Sequence, residues 1–195
     1  MADNSNNFWT NPTIGADPKR TYRFRVSFVN NSQYTMGDTN GIWYAKKMTQ
    51  PSVTLTESTH DYLMHKYYWP AKATWNEVDI TLVDPVQPHV AANFLSAFEK
   101  SGMIMPSGPG SYNSISKAGA SVQLGNVICE AINEQGNTVH KWTLQHAWAK
   151  SITLTDFDYA SENLMEITLK IRYDWAEFES STGDNKTAFK LNSQQ

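Results

Sequence analysis

Cysteine is almost missing from this chain of 195 residues, which contains only Cys129. A single cysteine excludes an intramolecular disulfide and any zinc site that needs several cysteines. Long apolar runs are missing as well, because no stretch approaches the roughly 18 residues of a membrane-spanning helix. The first residues carry neither a basic segment nor an apolar one. We therefore expect no secretory signal peptide and no insertion into a membrane.

Charge is also scarce, since Asp, Glu, Lys and Arg make up 18% of the residues. Lys and Arg number 16 and Asp and Glu number 19, which gives a formal charge of −3. This balance disfavours a nucleic-acid-binding protein, because neutralising phosphates requires clustered excess Lys and Arg. Aromatic residues are plentiful, with 8 Phe, 7 Trp and 9 Tyr. The composition favours a single β domain with much surface available to partners.

Alternation of apolar and polar residues predicts most of the secondary structure. The clearest pattern covers 165–175, and a strand of that length would span roughly 36 Å. Further strands are predicted at 22–28, 42–48, 75–83, 122–132 and 138–147. A single helix is predicted at 87–100, where Val90, Phe94, Ala97 and Phe98 form one apolar stripe. Residues 101–119 are rich in Gly, Pro and Ser and predict a long loop.

Residues 52–69 predict a long β-hairpin with its tip near 58–61. The second arm, 62–69, lacks clean alternation and carries apolar groups on both faces. Because such groups are unfavourable on a solvated arm, we expect another surface to cover both faces.

The ends of the chain are polar and predict arms outside the folded domain. Asn-rich residues 1–19 and the polar segment after Phe178 both have the composition of terminal extensions. The predicted organisation is an N-terminal arm at 1–19, a β domain at 20–178 and a C-terminal tail at 179–195.

The sequence shows no arrangement of residues that predicts catalysis. His60 and His65 are predicted to face opposite sides of a hairpin arm, and His140 and His146 lie too far apart on a strand to share an ion. Cys129 has apolar neighbours and is expected to be a buried, inert thiol. Nucleophile-elbow, P-loop and dinucleotide-binding patterns are missing. We therefore expect no enzymatic activity, no cofactor and no metal site.

Several motifs between about residues 21 and 178 occur in a particular order around the predicted helix. They are YRFRV at 22–26, WYAKK at 43–47, KYYWP at 66–70, WNEVDITL at 75–82, the segment 142–155 and ENLMEITLKIRYDW at 162–175. Their order and spacing, with one helix between two β halves, resemble the tube proteins of contractile (myovirus) phage tails. That family is related to the type VI secretion tube proteins.

The resemblance implies a mainly β fold, a two-sheet β-sandwich or partly closed barrel with one flanking α-helix and a long β-hairpin. It implies that six copies join their sheets edge to edge into a ring and that rings stack head to tail into a tube. The chain would then be a structural tail tube subunit of the virion tail, assembled in the bacterial host cytoplasm. Its partners would be other copies, a sheath outside, and baseplate and terminator proteins at the ends. Genomic DNA would pass through the lumen without specific binding.

Two surfaces follow as hypotheses about this assembly. The hairpin is the candidate contact between rings, because its second arm is apolar on both faces; its candidate residues are Tyr62, Met64, Tyr67 and Trp69. The polar faces of strands 75–83 and 165–175 are candidates for the lumen lining, with Glu77, Asp79, Glu166 and Asp174. These carboxylates outnumber Lys170 and Arg172, and a negative wall would repel DNA rather than hold it.

Other functions stay open at this point. Within the same architecture, the chain could be a baseplate tube initiator, a tail terminator or a secretion-system tube. A carbohydrate-binding β-sandwich is an alternative from another class, since aromatic side chains can stack on sugars. Against it, adjacent residues of a strand point to opposite faces, so Tyr67, Tyr68 and Trp69 cannot form one platform.

Overall fold

A computed structural model describes residues 19–29, 44–87, 89–103, 105, 114–181 and 186–190. Within these residues the chain forms eleven strands and two helices. In chain order they are β1 (Phe24–Val29), β2 (Ala45–Met48), β3 (Val53–Tyr62), β4 (His65–Trp75), β5 (Val78–Val83), α1 (Val90–Lys100), α2 (Lys117–Leu124), β6 (Asn126–Ile132), β7 (Thr138–Gln145), β8 (Trp148–Leu154), β9 (Glu166–Arg172), β10 (Trp175–Ser180) and β11 (Thr187–Ala188). The predicted arm at 1–19 lies outside the described residues except for Lys19, and so does 106–113 of the predicted loop.

Two antiparallel sheets share one core and form a β-sandwich. Sheet 1 has the order β1-β6-β7-β10-β11, and sheet 2 has the order β2-β5-β9-β8. Strands β3 and β4 pair only with each other and form the hairpin. Neither sheet is closed into a barrel within the described part of the chain. The mainly β, two-sheet fold is therefore confirmed, in its sandwich form.

Alternate residues of β5 and β9 are fully buried, as the sequence pattern predicts. The cross-strand pairs are Val78 with Ile171, Ile80 with Leu169, and Leu82 with Ile167. Sheet 1 adds fully buried residues from three of its strands, Val26, Val127 and Leu144. Each such side chain stabilises the fold by about 1.5–3 kcal/mol relative to an exposed one.

Helix α1 packs into the same core and confirms the predicted helix from Val90 onward. Phe94 is buried against Phe28 of β1 in an edge-to-face arrangement, with ring centroids 5.4 Å apart. The backbone N–H groups of Val90 and Ala91 donate to Asp84 Oδ1 at 3.1 and 3.2 Å. This carboxylate therefore caps the helix from the end of β5, where backbone donors would otherwise be unpaired.

Helix α2 corrects the prediction of a single helix. It begins at Lys117, inside the segment predicted to be a loop, and the Ser116 hydroxyl accepts a hydrogen bond from the Gly119 N–H at 3.0 Å. Leu124 is its one buried residue. So short a helix with so little apolar surface leaves no detectable period of 3.6 in the sequence. The predicted strand at 122–132 is correspondingly shorter and begins at Asn126.

The predicted single strand at 165–175 is also wrong, because the chain changes sheets within it. Strand β9 ends at Arg172 in sheet 2, and β10 begins at Trp175 in sheet 1. Tyr173 is still buried in phase with β9, whereas Ala176 is buried in the opposite phase. The corner at Tyr173 and Asp174 therefore shifts the alternation by one residue. The sequence does not show this shift, because apolar residues continue at Tyr173 and Trp175.

Sheet 1 continues past Phe178, where the predicted domain boundary falls. Phe178 pairs with Ala188, and Glu179 pairs with Thr187. Strand β11 comes from the segment predicted as the C-terminal tail and forms a short edge strand of sheet 1. No helix in the described ranges is long and apolar enough to cross a membrane.

Candidate assembly surfaces

The hairpin leaves the body of the protein at one end of sheet 2. The Thr49 N–H donates to the Asp79 carbonyl, and the Asn76 N–H donates to the Ser52 carbonyl, both at 2.9 Å, so both arms are anchored beside the start of β5. Every residue from 52 to 74 is exposed. Arms of 10 and 11 residues extend for about 33 Å.

The turn of the hairpin lies at Leu63 and Met64, which corrects the predicted tip at 58–61. Leu63 has φ +53°, a left-handed conformation that residues other than Gly rarely adopt. Leu63 and Met64 are 88% and 96% exposed. The tip therefore presents two large apolar side chains to solvent.

Cross-strand pairing places the predicted inter-ring aromatics on one face of the hairpin. Residues paired across an antiparallel ladder share a face, and so do residues i and i+2. The aromatic face, as we call it, comprises His60, Tyr62, His65, Tyr67 and Trp69, since the pairs are Tyr62 with His65, His60 with Tyr67, and Ser58 with Trp69. The two histidines thus share a face, contrary to the prediction, and Met64 lies in the turn.

The opposite face of the hairpin carries Tyr68 and an ion pair. Lys66 Nζ lies 3.9 Å from Asp61 Oδ1, and both side chains are well exposed. Tyr68 is exposed as well, so large apolar groups do occur on both faces. In the described part of the chain no element covers either face.

The outward side of sheet 2, here called the polar face, holds three of the four predicted lumen carboxylates. Glu77 Oε1 accepts a hydrogen bond from Lys150 Nζ at 2.5 Å and lies 3.5 Å from Arg172 Nη1. The hydrogen bond from Lys150 holds the pKa of Glu77 below its usual value, and the charges of Lys150 and Arg172 act in the same direction. The other two carboxylates are paired as well, Asp79 with Lys170 at 3.8 Å and Glu166 with Lys46.

The polar face carries more cations than carboxylates. Its five cations are Lys46, Lys47, Lys150, Lys170 and Arg172, and its three carboxylates are Glu77, Asp79 and Glu166. Five positive and three negative charges leave a surplus of two positive charges. The acidic wall inferred from β5 and β9 alone is therefore not present on this face, because β2 and β8 contribute three further lysines.

Asp174 lies apart from the other three, at the corner between β9 and β10. Lys117 Nζ of α2 donates to both carboxylate oxygens at 2.7 Å, and His146 Nδ1 lies 3.0 Å from Oδ2. Lys117, and after it His146, hold the pKa of Asp174 below its usual range. The four carboxylates thus fall into a group of three and a single one, and their position in a lumen stays a prediction.

Sheet 2 has two outer strands, β2 and β8, and no further strand pairs with either within the described residues. All its strand pairs are antiparallel, so β2 and β8 run in opposite directions. A row across the sheet connects Lys47, Thr81, Thr168 and Thr153. Open edges of this kind are templates for pairing with another chain.

Groups that commonly carry chemistry are placed elsewhere. Burial raises the pKa of the Cys129 thiol to about 11, so the thiol is protonated near neutral pH. His140 is buried and lies 3.0 Å from Lys19 Nζ, and its burial lowers its pKa. Over the described ranges, no group of three or more His, Cys, Asp and Glu residues could hold a metal ion.

The fold and these surfaces define an antiparallel two-sheet sandwich in which, among the described residues, both edges of sheet 2 and a complete hairpin are exposed. No protein-family model and no curated protein matches the chain.

Solved structures with the same fold come from contractile injection systems. One is a chain of the anti-feeding prophage (AFP) baseplate, with a TM-score of 0.62 and 18% identity, covering 86% of this chain and 99% of that chain. Another belongs to the sheath-tube complex of the extracellular contractile injection system PVC, with a TM-score of 0.58 and 14% identity, covering 85% and 94%. A crystallised Hcp protein follows at 0.51 and 10%, covering 85% and 96%. The fold implied by the resemblance to contractile tail tubes is therefore confirmed.

Proposed function

We propose that this chain is a tube subunit of a contractile injection apparatus, a structural protein without enzymatic activity. Six copies form a ring, and rings stack into a hollow conduit. Sheet 2 carries the proposal, because it combines a polar outer face with two edges of opposite direction that no other described strand pairs with. The AFP baseplate and the PVC sheath-tube complex provide the setting by likeness of fold.

The direction of the edge strands supports ring closure. When a ring operation places β2 of one copy beside β8 of the next, the two strands meet antiparallel, as every other pair in sheet 2 does. The sheet then continues around the ring without an edge. Closure satisfies the unpaired backbone groups that an isolated copy leaves open.

Stacking of rings is assigned to the hairpin. An arm about 33 Å long with large apolar groups on both faces is unfavourable in water and becomes favourable once a neighbouring ring covers it. Tyr62, Tyr67 and Trp69 on the aromatic face, with Met64 at the turn, are the proposed contacts. Because one end of the subunit then binds the other end of the next, the contact does not close and produces a filament.

The polar face of sheet 2 would line the conduit, since the opposite face packs on the core shared with sheet 1. Glu77, Asp79 and Glu166 would face the lumen together with the lysines that pair with them. In the phage setting genomic DNA would move along this wall. A small positive surplus makes its passage dependent on salt, because counterions compete with Lys and Arg for phosphate.

In that setting the protein would be part of the virion tail and would assemble in the host cytoplasm. A sheath would surround the tube, and baseplate and terminator proteins would occupy its ends. A second candidate is a ring at one end of the tube, since a chain of the AFP tube-terminating cap covers 93% of this chain at a TM-score of 0.58.

Negative-stain electron microscopy of the purified full chain over a concentration series tests the proposal. We expect rings at low concentration and hollow tubes at high concentration. Single rings that never stack would favour the terminal ring instead. Monomers at every concentration would contradict assembly, and their retention on a glycan column would favour a carbohydrate-binding module.

A further inference from the structure

A cavity of about 590 Å³ opens beside the base of the hairpin. It lies at the end of sheet 2 where β9 finishes and β8 begins, and α2 forms another of its walls. Its apolar lining includes Trp75, Trp148, Ile115 and Ala120, and its charged lining is Lys117, Arg172 and Asp174. We call it the base cavity.

The base cavity is apolar at its walls and mildly positive at its charged rim. Two cations, Lys117 and Arg172, stand against one carboxylate, Asp174. An aromatic group accompanied by negative charge therefore suits this cavity better than a neutral or cationic group does.

A segment with that chemistry lies at the opposite end of sheet 2. Loop 155–165 joins β8 to β9 and exposes two aromatic side chains, Phe157 at 89% and Tyr159 completely. The same loop contains the acidic residues Asp156, Asp158 and Glu162 and has no Lys or Arg.

The acidic loop, as we call 155–165, is anchored to the fold. The Thr155 N–H donates to the Glu166 carbonyl at 3.1 Å, and the Thr155 hydroxyl donates to the same oxygen at 3.0 Å. Within the loop, the Ala160 N–H donates to Asp158 Oδ1 at 2.9 Å. These hydrogen bonds fix the backbone of the loop at its base and around Asp158, which lowers the entropy cost of ordering the backbone on binding.

We propose that the acidic loop of one copy inserts Phe157 and Tyr159 into the base cavity of a copy in the adjacent ring. The inference rests on the proposed tube function, because it requires stacked rings. It assigns a second contact between rings in addition to the hairpin and commits to another copy of this chain as the occupant.

The positions of the two surfaces match a head-to-tail stack. They lie at opposite ends of β9, a strand of 7 residues and about 23 Å, so one copy presents the loop where the next presents the cavity. Ala73, Thr74 and Trp75 at the base of the hairpin line the cavity, which makes it continuous with the proposed hairpin contact. Asp156 and Glu162 would then lie near Lys117 and Arg172, an arrangement that fixes the direction of stacking.

The test replaces both aromatics in the full chain, Phe157→Ser with Tyr159→Ser. Both side chains are exposed, so we expect the subunit to fold and to close rings through β2 and β8. Loss of two aromatic anchors should shorten tubes by about tenfold at a fixed concentration. Tyr22→Ser is the matched control, because Tyr22 is an exposed aromatic residue that lies on neither of the two surfaces. Tubes of this variant should have normal length.

The outcomes separate this inference from the proposed function. Tubes about tenfold shorter in the double variant, or rings without tubes, beside normal tubes of the control, support insertion of the loop. Tubes of normal length in the double variant overturn it while leaving the tube function standing. If the unmodified chain forms neither rings nor tubes, the proposed function fails, and this inference fails with it.

An engineered disulfide gives a second measurement, whose readout is a covalent link between subunits and not a loss of tubes. Phe157→Cys combined with Ala120→Cys places one thiol on the loop and one in the cavity lining, and the native Cys129 is buried. Oxidised tubes should contain covalent ladders of subunits, whereas each single variant should give none. Tubes of the double-cysteine variant that contain no ladder would overturn the placement.

Discussion

Single residues in this protein divide into those that stabilise the fold and those that shape its surface. Leu169 is fully buried between the two sheets, where a methylene group contributes about 0.8 kcal/mol. The ion pairs of the polar face, such as Lys150 with Glu77, are open to solvent and add little to stability. The core therefore sets stability, while the charges mainly set what the surface can bind.

Truncation of a core residue should therefore cost far more than truncation at the edge of the same sheet. Leu169→Ala removes a fully buried side chain and should lower the free energy of unfolding by about 2–5 kcal/mol. Leu154→Ala, at a position 41% exposed in β8, is the control and should cost under about 1 kcal/mol. Urea denaturation of the dispersed subunit measures both, and equal losses would contradict the described core.

At the scale of elements, the hairpin differs from the rest of the fold because residues 52–74 are all exposed and add no side chain to the buried core. Among the described residues, strands β3 and β4 pair with each other and with no other strand. A two-stranded ribbon is marginal by itself in water, so covering it yields a large gain in buried apolar area. We therefore expect the hairpin to keep its conformation best when a partner surface covers it.

Charge placed on the aromatic face should abolish stacking without unfolding the subunit. Tyr67→Asp with Trp69→Asp introduces two carboxylates where we propose contact with the next ring. Burying them there would be strongly unfavourable, so electron microscopy should show rings but no tubes. Thermal unfolding of the subunit should change little, because neither residue belongs to the core.

Tyr22→Asp provides the control for this substitution, since it changes an exposed tyrosine outside the hairpin. Its tubes should match those of the unmodified chain. Tubes of normal length from the Tyr67 and Trp69 double variant would show that the aromatic face makes no contact between rings.

At the scale of the whole molecule, the two ends of one copy carry different surfaces. Its hairpin and base cavity lie at one end of sheet 2, its acidic loop lies at the other, and its two open edges lie on either side. Sideways contacts between edges close a ring, and end-to-end contacts remain open. Both kinds of contact are needed for a tube, and a variant can affect one while sparing the other.

A charge introduced on the edge strand β8 should change ring closure, because it would face the charged residues on β2 of the neighbouring copy. Thr153 on β8 faces outward and shares a row with Lys47 on β2. Thr153→Lys would bring like charges together across the ring contact and weaken each contact by about 0.2–1 kcal/mol, an effect multiplied by the number of contacts. Sedimentation velocity should then show a lower fraction of rings at each concentration.

Thr153→Glu is the matched variant, with a similar size and the opposite charge. It should leave ring formation unchanged or raise it, because a carboxylate would face the Lys47 side of the next copy. If the Lys and Glu variants gave the same fraction of rings, Thr153 of one copy would not lie near Lys47 of the next.

Residues near one another along the chain are sufficient to predict β5, α1 and the existence of the hairpin, whereas the two-sheet fold class came from the resemblance to contractile tail tube proteins. Alternation and the period of 3.6 express which side of an element is buried, and burial is decided largely by local side chains. The extent of the hairpin was underestimated, because its arms are exposed on both sides and have no buried face to mark them. The corner at Tyr173 and Asp174 depended on packing against sheet 1, which no local pattern reports.

The character of the polar face was settled by contacts between distant parts of the chain. Lys46 lies 120 residues from Glu166, and Lys150 lies 73 from Glu77. Strand order brings these charges together, and from β5 and β9 alone the face looked acidic. The sequence thus determined the elements that have a clear buried side, such as β5 and α1, because those depend on short-range periodicity. Only the tertiary structure decided the charge of the exposed face and the base cavity, because both arise where segments far apart in sequence meet.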